Sequence, residues 1–290
     1  MITYRTLKVE DFPRLYRATH AAFSDYAVPY QTEEDGLRRM FLINGVRFDF
    51  SVGAFNGDEI IGFTVNGIGD WNGMRTAYDS GTGVVPESRR QGISRKMFDF
   101  ILPILSGNKI RQYLLEVITE NKPAVLLYQN LGFETTRRFS VFKRKESVIF
   151  PENLNERIEI KEIKEIKDFN WNLFESFWTC FPSWQNSTDS IKRSFSDEAI
   201  IKTCLGLYLS GELVGYAVVF HNSGNVSQIA VAEKHRGKGF GRALLNALQK
   251  RIEKPLYVTN VDADAKKVAA FFEANGFSLL TAQYEMLLKL

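Results

Sequence analysis

Two stretches of this chain have the residue types and spacing to hold phosphate. Val84-Val85-Pro86-Glu87-Ser88-Arg89-Arg90-Gln91-Gly92-Ile93-Ser94 returns later as Val231-Ala232-Glu233-Lys234-His235-Arg236-Gly237-Lys238-Gly239-Phe240-Gly241. In each, an apolar run meets a basic, glycine-containing turn and then an amphipathic run. Small residues there let backbone N–H groups approach an anion closely, and the start of a helix adds its positive dipole end. A lone copy would serve equally well as a glycine turn that starts a helix. Two copies in the same strand, turn and helix frame favour phosphate.

The elements that must position these loops repeat with them. Arg89 and Arg236 stand 147 residues apart, Gly132-Phe133 and Gly276-Phe277 144 apart, and Asp11-Phe12 and Asp168-Phe169 157 apart. Near-constant offsets over the whole length indicate two tandem copies of one domain, with a period too long for a solenoid. Apolar periodicity predicts, in the first copy, a strand over 2–7, helices over 11–23 and 33–42, and strands over 50–55 and 59–67 across an Asn-Gly turn. A strand over 79–85, a helix over 94–105, a strand over 112–118, a helix over 123–130 and closing strands near 139–143 follow. The second copy predicts a strand over 158–163, a helix over 169–180, a hairpin over 205–220 and a strand over 226–231. A helix over 241–252, a strand over 256–260, a helix over 266–274 and a last strand over 283–288 complete it. The boundaries expected are domains at 1–145 and 158–290, joined by a polar, proline-containing linker at 146–157. The stretch Gly69 to Arg75 reads as an extra loop that only the first copy has, and such loops often carry function.

Composition narrows the classes. A chain of 290 residues suits two domains, and 44% hydrophobic with 24% charged residues is ordinary for a soluble protein. No run of 18 apolar residues exists to span a bilayer, and the start lacks an apolar leader, so the expectation is a cytoplasmic protein with no membrane partner. Two separated cysteines and three scattered histidines form no ligand spacing, so no metal is expected. A net charge of +3 without a basic stripe argues against nucleic acid.

Arg89-x-x-Gly92-x-Ser94 and Arg236-x-x-Gly239-x-Gly241 fit an Arg/Gln-x-x-Gly-x-Gly/Ala signature. Both resemble the acetyl-CoA loop of the GCN5-related N-acetyltransferase (GNAT) superfamily, and the resemblance covers both halves except the linker. Ser94 departs from the usual Gly or Ala but is small. The implied fold class is α/β: two tandem acyl-CoA N-acyltransferase domains, each a central, mostly antiparallel sheet flanked by helices. The implied acyl donor is acetyl-CoA, held by Val84, Val85, Arg89, Arg90, Gln91, Gly92, Ile93 and Ser94 in one copy. In the other it would be held by Val231, Arg236, Gly237, Lys238, Gly239, Phe240 and Gly241.

A second pattern separates the halves. Leu115-Glu116-Val117-x-x-x-Asn121-x-x-Ala124-x-x-Leu127-Tyr128-x-x-x-Gly132-Phe133 is similar to the protein N-terminal alanine acetyltransferases of that superfamily. The similarity implies Glu116 as general base, Tyr128 as general acid and Asn121 on the pantetheine arm; Asp79 is a second candidate base. The chemistry needs these types, because an ammonium must lose a proton before attacking a thioester and a departing thiolate gains from receiving one. The oxyanion would meet backbone N–H groups of 82–85. Glu116 is a lone carboxylate among Leu114, Leu115, Val117 and Ile118, costly if it faces a core and unremarkable on a solvated face. In the second half Phe272 stands where Tyr128 does. The Glu116 position falls on Asn260 or Tyr257, and that of Asn121 on Ala265 or Asp262.

The expected function is therefore transfer of an acetyl group to a primary amine of a small molecule or peptide, with the chemistry in residues 1–145. Tyr26, Tyr30 and Trp71 are the candidate acceptor-binding residues, against the alternative that such aromatics simply pack. Two other readings remain open: catalysis in the second half with the first as scaffold, as in tandem relatives such as the mycothiol synthases, and a non-catalytic acetyl-CoA sensor. The tandem repeat predicts a monomer, since it can bury the surface that single-domain relatives use to dimerise.

Overall fold

Short strands with alternating burial begin each half and long ones end it. A computed structural model describes residues 1–25, 32–151 and 158–290. The chain divides into two compact units, Met1–Thr136 with Tyr284–Leu290, and Arg137–Gln283.

In the first unit β1 (Ile2–Thr6), β2 (Val52–Asn56), β3 (Glu59–Trp71) and β4 (Met74–Val84) pair antiparallel in that order, and β5 (Gln112–Ile118) joins β4 in parallel. Helices α1 (Phe12–Ala22) and α2 (Glu34–Asn44) cover one face of the sheet, burying Leu15, Leu37 and Phe41 with Phe63 and Val65. Helices α3 (Ile93–Gly107) and α4 (Lys122–Asn130) bury Met97, Phe98, Ile101 and Tyr128 with Ala77, Tyr113 and Leu115. Strand alternation separates these two cores, because successive side chains of β5 point to opposite faces.

The second unit repeats the plan. Its sheet runs β7 (Ile158–Glu162), β8 (Lys202–Leu209), β9 (Glu212–Phe220), β10 (Asn225–Val231) and β11 (Tyr257–Asp262), followed by β6 (Glu134–Arg144). Helices α5 (Trp171–Ser176) and α6 (Thr188–Ser194) contribute to one core, α7 (Phe240–Gln249) and α8 (Lys266–Glu273) to the other. Where the periodicity predicts one helix over 169–180, α5 ends at Ser176, and a 3-10 turn, Trp184–Asn186, leads into α6.

Two expectations are corrected. The stretch from Gly69 to Arg75 is no loop: β3 and β4 stay paired to Trp71 and Met74, and Asn72 and Gly73 turn the chain with φ of 52° and 73°. Positive φ at both central residues matches the right-handed twist of a tight hairpin, and Asn-Gly tolerates it.

The units also do not follow the sequence halves 1–145 and 158–290. Strand β6, encoded at the end of the first half, pairs with β11 of the second unit. The end of β12 (Phe277–Lys289) lies beside β5 of the first, where the Leu290 amide donates to the Arg111 carbonyl at 2.9 Å. Each unit thus takes its last strand from the other copy. Met286 is fully buried in the first unit's core with Tyr113, Leu115 and Tyr128. Met286→Ala should cost about 2–5 kcal/mol. The loss should appear in thermal or denaturant unfolding of the first unit; an unchanged transition there would contradict the strand exchange.

Candidate active site

Strand β5 meets β4 over only three residue pairs, Thr76 with Gln112, Ala77 with Tyr113, and Tyr78 with Leu114. Beyond Tyr78 the two strands part. The parting coincides with a bulge, since Asn66 opposes Asp79 and Val65 opposes Gly81, leaving Ser80 as the extra residue of β4. A bulge re-aims its neighbours and ends regular pairing, so the polar side chains of 78–82 gather at the opening.

Asp79 is buried there. Its Oδ1 accepts from the Gly81 amide at 3.0 Å, and its Oδ2 accepts from Thr82 Oγ1 at 2.7 Å and from the Tyr128 hydroxyl at 3.3 Å. Burial pushes its carboxyl up to about 6, against the downward pull of these donors. Tyr128 is placed by α4, whose first turn is capped by Asn121 Oδ1 accepting from the Ala124 amide at 3.3 Å. Its ring packs edge-on to Phe98 and Phe133. Behind Asp79, the Thr82 and Thr64 hydroxyls touch, and Tyr113 donates to Asn66 Oδ1 at 2.5 Å. Burial, with the nearby Asp79 charge, raises the Tyr113 phenol well above its ordinary value.

Glu116 lies on the other face. Its Oε2 accepts from the Tyr78 hydroxyl at 2.7 Å, whereas Tyr113, Leu115 and Val117 alternate with it into the core that holds Tyr128. The two candidate bases therefore flank the opening from opposite sides: Asp79 with Tyr128, Glu116 with Tyr78. Sequence reasoning missed Tyr78. Its signal is the register that sets it across from Leu114, two residues before Glu116, and that pairing is not written in either strand alone.

The first glycine-containing loop passes through a 3-10 turn, Pro86–Ser88, and enters α3 at Gly92, whose φ is 72°. No atom lies within 4 Å of where a Cβ on Gly92 would stand. A cavity of about 290 Å³ opens here, walled by Arg90, Gly92, Ser94, Arg95, Pro123 and Leu127 among others. The unpaired N–H groups of a first helical turn line such a spot. Arg89 also lines it but commits its guanidinium elsewhere: Nε donates to the Val84 carbonyl at 3.1 Å, Nη2 to the Ala22 carbonyl at 2.8 Å, and both Nη atoms to Asp25 at 2.6 and 2.8 Å. Arg236 repeats this, donating to the carbonyls of Val231 and Phe177 at 3.0 and 2.8 Å. Both arginines brace their loop against the end of the first helical segment. Ile93 and Phe240 are buried core residues of their units.

In the second unit β10 and β11 pair in parallel only at Asn225 and Tyr257, and Ser227 is the bulge residue. That register puts Thr259 in the position of Glu116 rather than Asn260, which is the extra residue of a β11 bulge with φ of 57°. Phe272 packs against Phe142 and Phe277 in the Tyr128 position. Asn186 spans the opening. It donates to the Thr259 carbonyl at 3.0 Å, accepts from Ser227 Oγ at 3.2 Å, and takes the Gln228 amide on its carbonyl at 2.7 Å. The loop of this unit keeps Gly237 and Gly239 at φ of 80° and 86°. A Cβ on Gly241 would stand 2.9 Å from the Phe271 ring, which would have to shift to admit it.

Of the candidate acceptor residues, Tyr26 and Tyr30 lie outside the described residues. Trp71 is buried at the tip of the β3–β4 hairpin, its carbonyl accepting from Gln112 Nε2 at 2.9 Å. The paired segment of β4 and β5 separates it from Asp79, and it does not join Asp79 and Tyr128. Among the described residues no cluster of three or more His, Cys, Asp and Glu could hold a metal, and no helix is long and apolar enough to cross a membrane.

The raised carboxyl of Asp79 fixes a pH dependence of stability. The folded chain keeps this proton up to about pH 6, whereas the unfolded chain releases it near 3.8. Stability due to this group is therefore highest below pH 4 and falls as pH rises through 6, by about 3 kcal/mol. Unfolding free energies of wild type and Asp79→Asn should diverge in the variant's favour by that amount between pH 4 and 7. A difference that does not vary with pH would contradict a buried, proton-holding Asp79.

Comparison with known proteins bears on the family and the fold. A model of the acetyltransferase (GNAT) family matches residues 12–133 and again 170–277. None of the curated proteins searched matches the chain. Among solved structures, a GCN5-related N-acetyltransferase from Sphaerobacter thermophilus is 14% identical with a TM-score of 0.75, over 99% of this chain and 95% of that one. A tandem GNAT protein from the clavulanic acid biosynthesis pathway is 12% identical with a TM-score of 0.74, over 100% and 98%. A putative acetyltransferase from Pyrococcus horikoshii is 18% identical with a TM-score of 0.68, over 100% and 89%. At these identities the likeness is one of fold, whereas the family model covers most of both halves: the chain belongs to the acetyltransferase (GNAT) family, as a tandem member.

Proposed function

We propose that the chain transfers an acetyl group from acetyl-CoA to a primary amine of a small molecule or peptide, and that the first unit carries the chemistry. The observation that carries this reading is the opening between β4 and β5, flanked by Glu116 with Tyr78 on one face and by Tyr128 with Asp79 on the other. The cavity at the start of α3 has small residues at Gly92 and Ser94 and cations at Arg90 and Arg95, a fit for the pyrophosphate of coenzyme A. The donor supplies the thioester; this chain's residues supply the proton transfers.

Glu116 takes the proton of the acceptor ammonium, directly or through water, and Tyr78 holds the carboxylate in place through Oε2. Tyr128 gives its proton to the departing thiolate, and Asp79 orients the phenol. Alternate N–H groups of β4 beyond Tyr78 point away from β3 into the opening, where they can meet an oxyanion. The second unit has a loop of the same form but Thr259 and Phe272 in the acid-base positions, with Asn186 across its opening. That favours a supporting role for it over catalysis there.

Calorimetric titration with acetyl-CoA of wild type, Gly92→Glu and Gly239→Glu, alongside turnover of an amine panel, tests the reading. Gly92→Glu should abolish turnover. Glu116→Gln and Tyr128→Phe should each lower kcat by about 10²-fold or more while leaving donor binding intact. Full rates in both acid-base variants, or loss of turnover with Gly239→Glu alone, would refute it. Cutting the chain between 145 and 158 is not a usable test, because each unit would lose its last strand.

A further inference from the structure

Arg144, the last residue of β6, is the largest fully buried side chain among the described residues, 1% exposed. Three of its five N–H hydrogens are used. Nε donates to the Asn275 carbonyl at 3.0 Å, just past the end of α8, and Nη1 donates to the Val148 carbonyl at 3.0 Å and to Gln249 Oε1 at 3.3 Å at the end of α7. Two backbone carbonyls and one side-chain amide oxygen thus satisfy that half of the guanidinium. They leave Nη2, which has no acceptor among the described residues and is closed from solvent. No carboxylate forms an ion pair with Arg144 among the described residues, and burial alone pulls its pKa down to about 10, so the charge is still present at neutral pH. A buried cation without a counter-ion is costly, and such groups in folded proteins call for a partner.

The same side chain lines a cavity of about 390 Å³ within the second unit, together with Lys145, Glu146, Val148, Phe150 and Phe277. The Phe277 and Phe150 rings lie 4.8 and 5.4 Å from the guanidinium carbon. The Phe150 backbone is pinned at both polar atoms by Asn246, at 3.0 and 2.8 Å, which holds its ring in the cavity wall. Two cations and one carboxylate in the wall sum to one positive charge, which matches a monoanion better than a phosphate dianion. The aromatic and aliphatic walls match an apolar body, and the volume is within the range of small-molecule sites.

We infer that this cavity is a second ligand site, separate from both phosphate loops, that binds a small carboxylate carried on an apolar or aromatic body with Arg144 as its anchor. Benzoate is the probe, titrated by calorimetry into the full chain, with inorganic phosphate and benzyl alcohol as controls. Saturable binding of one benzoate is expected, at least ten-fold weaker in Arg144→Gln and unchanged in Gly92→Glu and Gly239→Glu. Should Arg144→Gln fail to fold, the charge balance still gives opposite signs at two other wall positions: Lys145→Gln weakens binding several-fold, and Glu146→Gln tightens it. Absence of benzoate binding, equal binding of phosphate or benzyl alcohol, or indifference to Lys145→Gln and Glu146→Gln would overturn the assignment.

Discussion

The parting of two parallel strands governs the rest of the first unit. Three residue pairs hold β4 to β5 before the bulge at Ser80 ends the ladder, and everything of chemical interest lies just past that point. A parallel pair that continued would have used the backbone groups of 79–84 on β5 and closed the sheet. Because it stops, β4 presents an edge inside the domain, and polar side chains can occupy what would otherwise be sealed core. Burial then does the tuning: the Asp79 carboxyl rises to about 6 because little water reaches it, and its three donors limit the rise.

The same opening is present in the second unit but is treated differently. There Asn186 joins Ser227 and Gln228 on one strand to Thr259 on the other, a satisfied network of neutral groups. A network whose donors and acceptors are all paired rigidifies the place it occupies. The two copies have thus kept one framework and diverged at its centre, one toward ionisable groups and one toward amides and hydroxyls. Both retain the arginine brace, Arg89 and Arg236, which indicates that this residue of the signature serves loop placement in each copy.

Strand exchange ties the copies into one polypeptide. Each copy closes with a strand next to its Gly-Phe pair, Glu134–Arg144 in one and Phe277–Lys289 in the other. Pairing with the other copy's sheet leaves neither unit complete without the whole chain.

The repeat, the strand, turn and helix order around both loops, the identity of the loop glycines, and the contrast between Glu116 with Tyr128 and Phe272 can all be read from residue order. These follow from local rules: periodicity of apolar residues, positive φ at glycine, and residue chemistry at fixed spacing. Folding was needed to reveal that Glu116 pairs with Tyr78 and Asp79 with Tyr128 on opposite faces, that Trp71 belongs to a hairpin tip, that Asn121 caps a helix, and that the last strands are exchanged. Each of these depends on register or on which strand lies beside which. That information resides in contacts between residues far apart in the chain, where a shift of one position moves every side chain to the other face.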